Sequence, residues 1–296
     1  MRLKLADMRR AKRPFRPNFD TGNAKGIIVG RTPKLAQRED RVRLKALRDA
    51  HLHCPELAAQ AMDLHDRMAR AMAAGEVPAT PASAERWREV CLGPVGHLWK
   101  AVEEYGPERV ALVTLRQRGL LCEGEDLHTV DPRRLKARLR NPLDRSGVTG
   151  ASGFMWIGFD LEFDANRGRT GVWDGHWHGI VGGEKIEALE ALRERRSFHN
   201  ARVHPLERGM KEQSRVHVVK GLVNLPYPIC YCLKGWACHR PSFSTADGVL
   251  QRSKRKGRVP TPYLIRWLLW MDQWQVDDLL LRNGITIALN RLHISP

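Results

Sequence analysis

The sequence predicts an α+β protein in which helices pack on a central, mainly antiparallel β-sheet, with helical N- and C-terminal extensions. Two observations predict this class. Apolar residues recur at helical spacing up to Tyr105, whereas short strand-like apolar runs begin only after Gly106-Pro107. From there the predicted order is strand, helix, strand, strand, helix, strand, helix, and a short polar loop joins the two middle strands. This order is typical of antiparallel strands with helices on one face of the sheet.

The first 106 residues divide into a basic arm and a helical region. Residues 1–50 hold 15 Lys or Arg against 5 Asp or Glu, and prolines and glycines precede Arg41. Residues 1–40 are therefore predicted to be a flexible arm, which either follows a phosphate backbone or is a solvated tail. Within the helical region 41–106, we expect helices over 41–74 with a break at Cys54-Pro55, and over 84–105 with an interruption near Gly93-Pro94.

The predicted core spans residues 107–237, and residues 238–296 follow it as a basic loop and a C-terminal helical extension. The expected strands are Arg109–Leu115, Phe154–Phe163, Val172–Gly182 and Arg215–Val219, and the expected helices are Pro132–Leu139, Glu184–Arg196 and Pro228–Lys234. In the extension, tryptophans recur at helical spacing from Pro260 to Arg282, which predicts one helix that Asn283-Gly284 ends.

The charge of the chain points to a polyanionic partner. Fifty Lys or Arg against 33 Asp or Glu give a formal net charge of +17. Nucleic acid is the expected partner, because Lys and Arg neutralise phosphates with release of counterions. A flexible basic loop at residues 251–258 is the candidate for direct phosphate contacts, although a solvated loop has the same composition. Its candidate DNA-binding residues are Arg252, Lys254, Arg255, Lys256 and Arg258.

No membrane span or export signal is expected. No apolar run approaches the roughly 18 residues of a transmembrane helix, and the N-terminal 20 residues contain no apolar secretory core. We therefore expect an intracellular protein whose six cysteines are reduced. The one cysteine cluster, which contains Cys230, Cys232, Cys238 and His239, does not have a usual zinc-site spacing.

Two histidines at 176 and 178 flank a single apolar residue and are the candidate metal ligands. Side chains alternate along a strand, so His176 and His178 share one face of the sheet while Trp177 faces the other. His51 and His53 have the same spacing, but they lie in a predicted helix, where residues two apart point in nearly opposite directions. They are expected to be surface or packing histidines.

The strand before the histidines can supply a carboxylate ligand. Asp160, Glu162 and Asp164 alternate with apolar residues and therefore share one face, which is either part of a metal site or an exposed acidic face. The pattern alone leaves open which of the three carboxylates is the third ligand. Two imidazoles and one carboxylate leave positions for water and a phosphate oxygen, which suits Mg²⁺ or Mn²⁺ acting on a phosphodiester.

The third candidate element is a helix with two tyrosines. Tyr227, Tyr231 and Lys234 are spaced by four and three residues, so they follow one another along one helix face. A phenol becomes a nucleophile when positive charge from a metal ion or a lysine stabilises its oxyanion. The alternative is one core tyrosine and one surface hydroxyl.

These elements together resemble the HUH endonucleases, and most closely the rolling-circle replication initiator (Rep) proteins of plasmids and phages. The resemblance depends on three motifs in a fixed order: the strand 111–115, the segment WDGHWHGIV at 173–181, and Tyr231-Cys232-Leu233-Lys234. It covers roughly residues 107–237. The sequence departs from the family pattern at Thr114-Leu115-Arg116, where the family has Thr-Leu-Thr, and at Pro228, which directly follows Tyr227.

The resemblance implies metal-dependent, site-specific nicking and rejoining of single-stranded or hairpin origin DNA in the bacterial cytoplasm. It implies His176, His178 and Glu162 as metal ligands, Tyr231 as the nucleophile that forms a 5′-phosphotyrosine, and Lys234 as its assistant. Tyr227 matches the second tyrosine of the two-tyrosine subfamily. Host helicase and polymerase would be further partners. The alternatives are an HUH-type transposase with the same chemistry and a non-catalytic DNA-binding protein that retains the fold.

Overall fold

The computed structural model describes residues 33–117, 119–195, 198, 215–222, 227–232, 235–288 and 291–294. We number the helices and strands in chain order. The α-helices are α1 (Pro33–Arg48), α2 (Ala50–His53), α3 (Ala58–Ala73), α4 (Ala84–Tyr105), α5 (Pro132–Arg145), α6 (Lys185–Glu190), α7 (Tyr227–Tyr231) and α8 (Thr261–Asp272). The strands are β1 (Val110–Leu115), β2 (Leu121–Glu123), β3 (Phe154–Asp164), β4 (Val172–Gly182), β5 (Val216–Lys220), β6 (Cys238–His239), β7 (Ser242–Ser244), β8 (Leu250–Arg252), β9 (Gly257–Arg258), β10 (Leu280–Asn283), β11 (Ile285–Ala288) and β12 (Arg291–Ile294).

Two long strands, β3 and β4, form the centre of an eight-stranded sheet with the order β5-β1-β4-β3-β6-β9. Strand β10 also pairs with β3, and β2 pairs with β4. All these pairs are antiparallel except the short parallel pair of β3 with β6. The prediction of an α+β fold with a mainly antiparallel sheet and packed helices is confirmed.

One face of β3 and β4 carries aromatic side chains that pack on α8. Phe159 lies 5.1 Å from Trp177 and 6.3 Å from Trp270 of α8, measured between ring centroids. Phe163 lies 4.8 Å from Trp173. Every residue of both strands is buried, and burial of each large apolar side chain contributes about 1.5–3 kcal/mol. Both faces of the two central strands are therefore covered by other parts of the chain.

The N-terminal helices pack on the rest of the chain through Arg43. This buried side chain donates from Nη1 to the Ala82 carbonyl and from Nη2 to the Gly235 carbonyl, each at 2.7 Å. Its guanidinium lies 5.1 Å from the ring centroid of Trp267 in α8. One hydrophobic cluster includes side chains of α1, the sheet and α8. The described parts of the predicted regions therefore share a core.

The structure confirms several local predictions and contradicts others. The break at Cys54-Pro55 separates α2 from α3, and Asp131 caps α5 by accepting from two backbone N–H groups. Helix α4, however, continues through Pro94. Its packing explains this, because Val95, Leu98 and Val102 are fully buried and tertiary packing outweighs the cost of one proline.

The predicted helix from Pro260 to Arg282 is also wrong, because α8 ends at Asp272. Residues Leu280–Asn283 instead form β10, which pairs with Met155–Gly158 of β3. This segment forms backbone hydrogen bonds with an edge of β3 whose N–H and C=O groups would have no partner there if the segment were a helix. The predicted arm lies mostly outside the described residues, and α1 already begins at Pro33. No helix in the described part of the chain is long and apolar enough to cross a membrane.

Candidate metal centre and neighbouring charged cluster

The register of the β3–β4 pair brings one carboxylate and two imidazoles together. Asp160 lies opposite His176, and His178 lies opposite Gly158, which has no side chain. Oδ2 of Asp160 is 3.4 Å from Nε2 of His176 and 3.8 Å from Nε2 of His178. One possible ligand atom from each of the three residues lies within 4.8 Å of the other two. Among the described residues, this is the one group of three or more His, Cys, Asp or Glu that is close enough to hold a metal ion. These three residues form the candidate metal centre.

Burial and one backbone contact prepare this centre for a cation. The histidines are 2% exposed and Asp160 is 8% exposed, so a bound ion would be held largely away from solvent. Nδ1 of His176 is 3.2 Å from the carbonyl oxygen of Asp174. A proton on Nδ1 would be donated to that oxygen, so that Nε2, the nitrogen nearest Asp160, can serve as a metal ligand. The donor set of one carboxylate and two imidazoles fits a divalent ion.

The choice of Glu162 as third ligand is corrected, because Asp160 occupies that place. Glu162 lies opposite Asp174, two residues along the strand pair from the pair of Asp160 with His176. Its carboxylate faces cations instead: Arg240 Nη1 at 3.1 Å, Arg252 Nη1 at 3.4 Å and Lys256 Nζ at 3.5 Å. The third acidic residue, Asp164, accepts hydrogen bonds from Ser242.

The helix that carries the tyrosines packs against the same part of the sheet. Helix α7 contains Tyr227 and Tyr231 and contacts β4. A Cβ atom added to Gly158 would lie 2.5 Å from the carbonyl oxygen of Cys232, so the chain just after Tyr231 runs over the residue that faces His178. Only the backbone of the two tyrosines is described, and Lys234 lies outside the described residues.

The candidate DNA-binding loop is partly ordered by ion pairs. Arg252 belongs to β8, and its 4% exposed side chain binds Asp174 at 2.8 Å. Burial lowers the pKa of Arg252, but the carboxylates of Asp174 and Glu162 outweigh burial, so the pKa is raised. Arg258, in β9, pairs with Glu39 of α1 at 2.7 Å. Lys254 and Arg255 are exposed. The segment 251–258, predicted to be a flexible loop, therefore begins and ends in the short strands β8 and β9.

The remaining candidates behave as their context predicts. His51 and His53 are exposed on the short helix α2. All six cysteines are thiols rather than disulfides.

Sequence reasoning missed Asp174 and Arg240, which become neighbours of Glu162 only through pairing across the sheet. The ends of β3 and β4 could have identified Asp160 as the third ligand. Asp164 at the end of β3 pairs with Val172 at the start of β4, and four residues from this pair along both strands Asp160 lies opposite His176.

Comparison of the chain with protein-family models, with curated proteins and with solved structures found no match.

Proposed function

We propose that this protein nicks and rejoins single-stranded DNA in a metal-dependent reaction in which Tyr231 is the nucleophile. The observation that carries the proposal is the cluster of Asp160, His176 and His178, with α7 packed on the strand of the two histidines. A metal ion beside a tyrosine helix suits transfer of a phosphodiester to a phenol. The formal net charge of +17 supports a DNA substrate.

In the proposed reaction, the Tyr231 oxygen loses its proton and attacks the phosphorus of one phosphodiester. A bond forms between this oxygen and phosphorus, the bond from phosphorus to the 3′ oxygen breaks, and the 3′ oxygen takes up a proton. The products are a 5′-phosphotyrosine and a free 3′-hydroxyl. Reversal of the same step rejoins the strand without ATP, because the phosphotyrosine ester conserves the energy of the broken bond.

Some residues of the chain would bind the metal ion, and another would stabilise the deprotonated form of Tyr231. Asp160, His176 and His178 would hold a divalent ion, which when bound supplies Lewis-acid stabilisation of charge on a non-bridging phosphate oxygen. Imidazole ligands match Mn²⁺ better than Mg²⁺, which prefers oxygen donors. Lys234 would stabilise the phenolate form of Tyr231 by its positive charge. The Asp174 carbonyl orients His176.

The biological role that fits this chemistry is initiation of rolling-circle replication, since the released 3′-hydroxyl can prime synthesis. The test incubates the protein with end-labelled single-stranded DNA and Mn²⁺ and looks for a covalent adduct that survives denaturing electrophoresis. We expect an adduct from the wild type and from Tyr227→Phe and none from Tyr231→Phe. Absence of an adduct from the wild type on every origin-like substrate, or its persistence in Tyr231→Phe, would contradict the proposal.

The second candidate function is a non-catalytic DNA-binding protein in which the metal ion is structural. The 2% exposure of both histidines favours it, because a phosphodiester must reach the ion for catalysis. The two candidates differ in one result. A structural site gives metal-dependent thermal stabilisation and DNA binding without any covalent adduct.

A further inference from the structure

A two-stranded ribbon is fixed to the strands of the metal centre. The ribbon consists of β7 and β8, which pair Ser242 with Arg252 and Phe243 with Gln251. The Ser242 backbone N–H donates to Asp164 at 3.0 Å, and Arg252 binds Asp174 at 2.8 Å. Because side chains alternate, these contacts anchor one side of the ribbon to the sheet and turn Phe243 to the other side.

The outer side of the ribbon displays an aromatic ring to solvent. Phe243 is 50% exposed, and it is the one aromatic residue among the strongly exposed large apolar side chains of the described residues. Every other phenylalanine in the described residues is buried. Since the ribbon is anchored from below, an exposed ring on its outer side has no packing role that the structure accounts for.

The surroundings of Phe243 are strongly basic. Residues 240–258 contain six Lys or Arg and a single acid, Asp247. Lys254 and Arg255 lie exposed just after the ribbon. Below it, three cations, Arg240, Arg252 and Lys256, converge on the carboxylate of Glu162.

One buried cation in this cluster has unused hydrogen-bond donors. Nε and Nη2 of Arg252 are buried and have no acceptor among the described residues. Buried guanidinium donors are costly to leave unpaired, and a phosphate oxygen is their strongest common acceptor. Arg252 also lies close to the metal centre: Glu162, which it contacts, is about 7 Å along the strand from Asp160, at about 3.3 Å per residue.

We propose that the ribbon binds single-stranded DNA beside the metal centre. Phe243 stacks on an unpaired base, Lys254 and Arg255 contact the flanking phosphates, and the buried Arg252 adds positive charge below the ribbon. An exposed ring within a basic, acid-poor segment matches the way proteins bind single strands, by stacking and charge together. Duplex DNA is a poorer fit, because its base faces are covered by stacking. This inference deepens the proposed function and rests on its substrate being single-stranded DNA.

The test measures binding of a fluorescein-labelled oligothymidylate by fluorescence anisotropy in EDTA, so that neither metal binding nor nicking contributes. Removal of one stacked ring is worth about 1–3 kcal/mol, so Phe243→Ala should weaken binding about 5- to 150-fold. Phe243→Trp should bind like the wild type. Val219→Ala, at another apolar side chain with 44% exposure, is the matched control and should change nothing. The unfolding temperature of each variant checks that the fold is intact.

Two further variants test the charges and the type of contact. The double variant Lys254→Gln, Arg255→Gln should reduce the slope of log affinity against log salt by about 1.4, which is about 0.7 for each phosphate that the protein no longer neutralises. Phe243→Leu keeps apolar area without a ring face and should bind as weakly as Phe243→Ala. Wild-type affinity in Phe243→Ala or Phe243→Leu, or equal Phe243-dependent binding of duplex DNA, would overturn the proposal and leave a protein contact as the role of the ring.

The proposed DNA-binding role of the ribbon and the proposed nicking reaction can be refuted independently of each other. If no covalent adduct forms but Phe243→Ala still weakens binding, the ribbon stands and the nicking reaction is refuted. If the adduct forms and Phe243→Ala binds normally, the ribbon is refuted and the nicking reaction stands.

Discussion

Two segments of this chain have the pattern His, apolar residue, His, and the structure uses them in opposite ways. His51 and His53 lie on the four-residue helix α2, and Leu52 between them is 70% exposed. His176 and His178 lie on β4, and Trp177 between them is fully buried. On the strand, the buried Trp177 fixes both imidazoles on the opposite face. The spacing of two histidines therefore acquires a meaning only from the period of the element that carries it.

The same contrast holds on a smaller scale between two carboxylates of β3. Asp160 and Glu162 are two residues apart and share a face, yet Asp160 meets two imidazoles and Glu162 meets three cations. The cross-strand partner decides this difference, since Asp160 lies opposite His176 and Glu162 lies opposite Asp174. One residue is placed to bind a metal ion, and the other is neutralised within the protein.

The largest expected effect separates the two histidine pairs. At a Mn²⁺ concentration of 100 times the dissociation constant, binding stabilises the fold by about 2.7 kcal/mol, which raises the unfolding temperature by about 4 °C for a chain of this size. His176→Ala should abolish this increase, while His51→Ala should keep it. Differential scanning fluorimetry with and without Mn²⁺ measures both. An equal increase in His176→Ala would remove the assigned site.

The next effect separates the two carboxylates. Asp160→Asn should weaken Mn²⁺ binding at least about 100-fold. Even the loss of a group that only hydrogen-bonds a metal ligand can weaken binding by that factor, and Asp160 is itself a proposed ligand. Glu162→Gln should change the affinity by less than about tenfold, because its partners are Arg and Lys rather than the ion. Titration calorimetry gives both constants. The reverse order of the two variants would restore Glu162 as the ligand.

A smaller effect tests how closely the tyrosine helix approaches the histidine strand. In Gly158→Ala, the new Cβ would lie 2.5 Å from the Cys232 carbonyl oxygen, so the segment after Tyr231 must shift, at a cost of about 1–3 kcal/mol. The variant should also fail to form the adduct while it retains Mn²⁺ binding. Gly150→Ala, where a Cβ meets no atom within 4 Å, is the control. Urea unfolding and the adduct assay measure the two effects; wild-type adduct yield in Gly158→Ala would contradict the close approach.

The smallest effect lies at the exposed pair. His53→Ala should leave the free energy of unfolding within about 0.5 kcal/mol of the wild type, because an exposed side chain on a short helix packs against few neighbours. Urea denaturation monitored by tryptophan fluorescence measures it. A change above this range would show that the pair on α2 has a structural role.

The sequence predicted those parts of the fold that local periodicity determines. The strands at β1, β3 and β4 and the break before α3 follow from alternation and from Pro55. The fate of residues 273–283 could not be predicted in this way, because Leu280–Asn283 becomes a strand only by pairing with Met155–Gly158, more than 100 residues away. Tertiary pairing outweighed helical spacing there.

The candidate metal centre was predicted in part, and the error in its third ligand has one physical cause. The sequence identified the histidines and the acidic face of β3, but which carboxylate meets them depends on the strand register. A shift of one residue exchanges the faces of a strand, and a shift of two changes the partner from Asp160 to Glu162. Strand ends read from sequence are not accurate to that degree. The ion pairs of Arg252 with Asp174 and Glu162 were equally out of reach, since they join elements distant in the chain.

The most direct test of the central claim is to locate the covalent bond to DNA. The protein is incubated with single-stranded origin DNA and Mn²⁺, the DNA is trimmed with nuclease, and the peptides are sequenced by mass spectrometry. We expect a nucleotide 5′-phosphate on Tyr231, and none when His176→Ala replaces the wild type. A nucleotide attached to any other residue, or no modified peptide from a protein that binds both Mn²⁺ and DNA, would contradict the account.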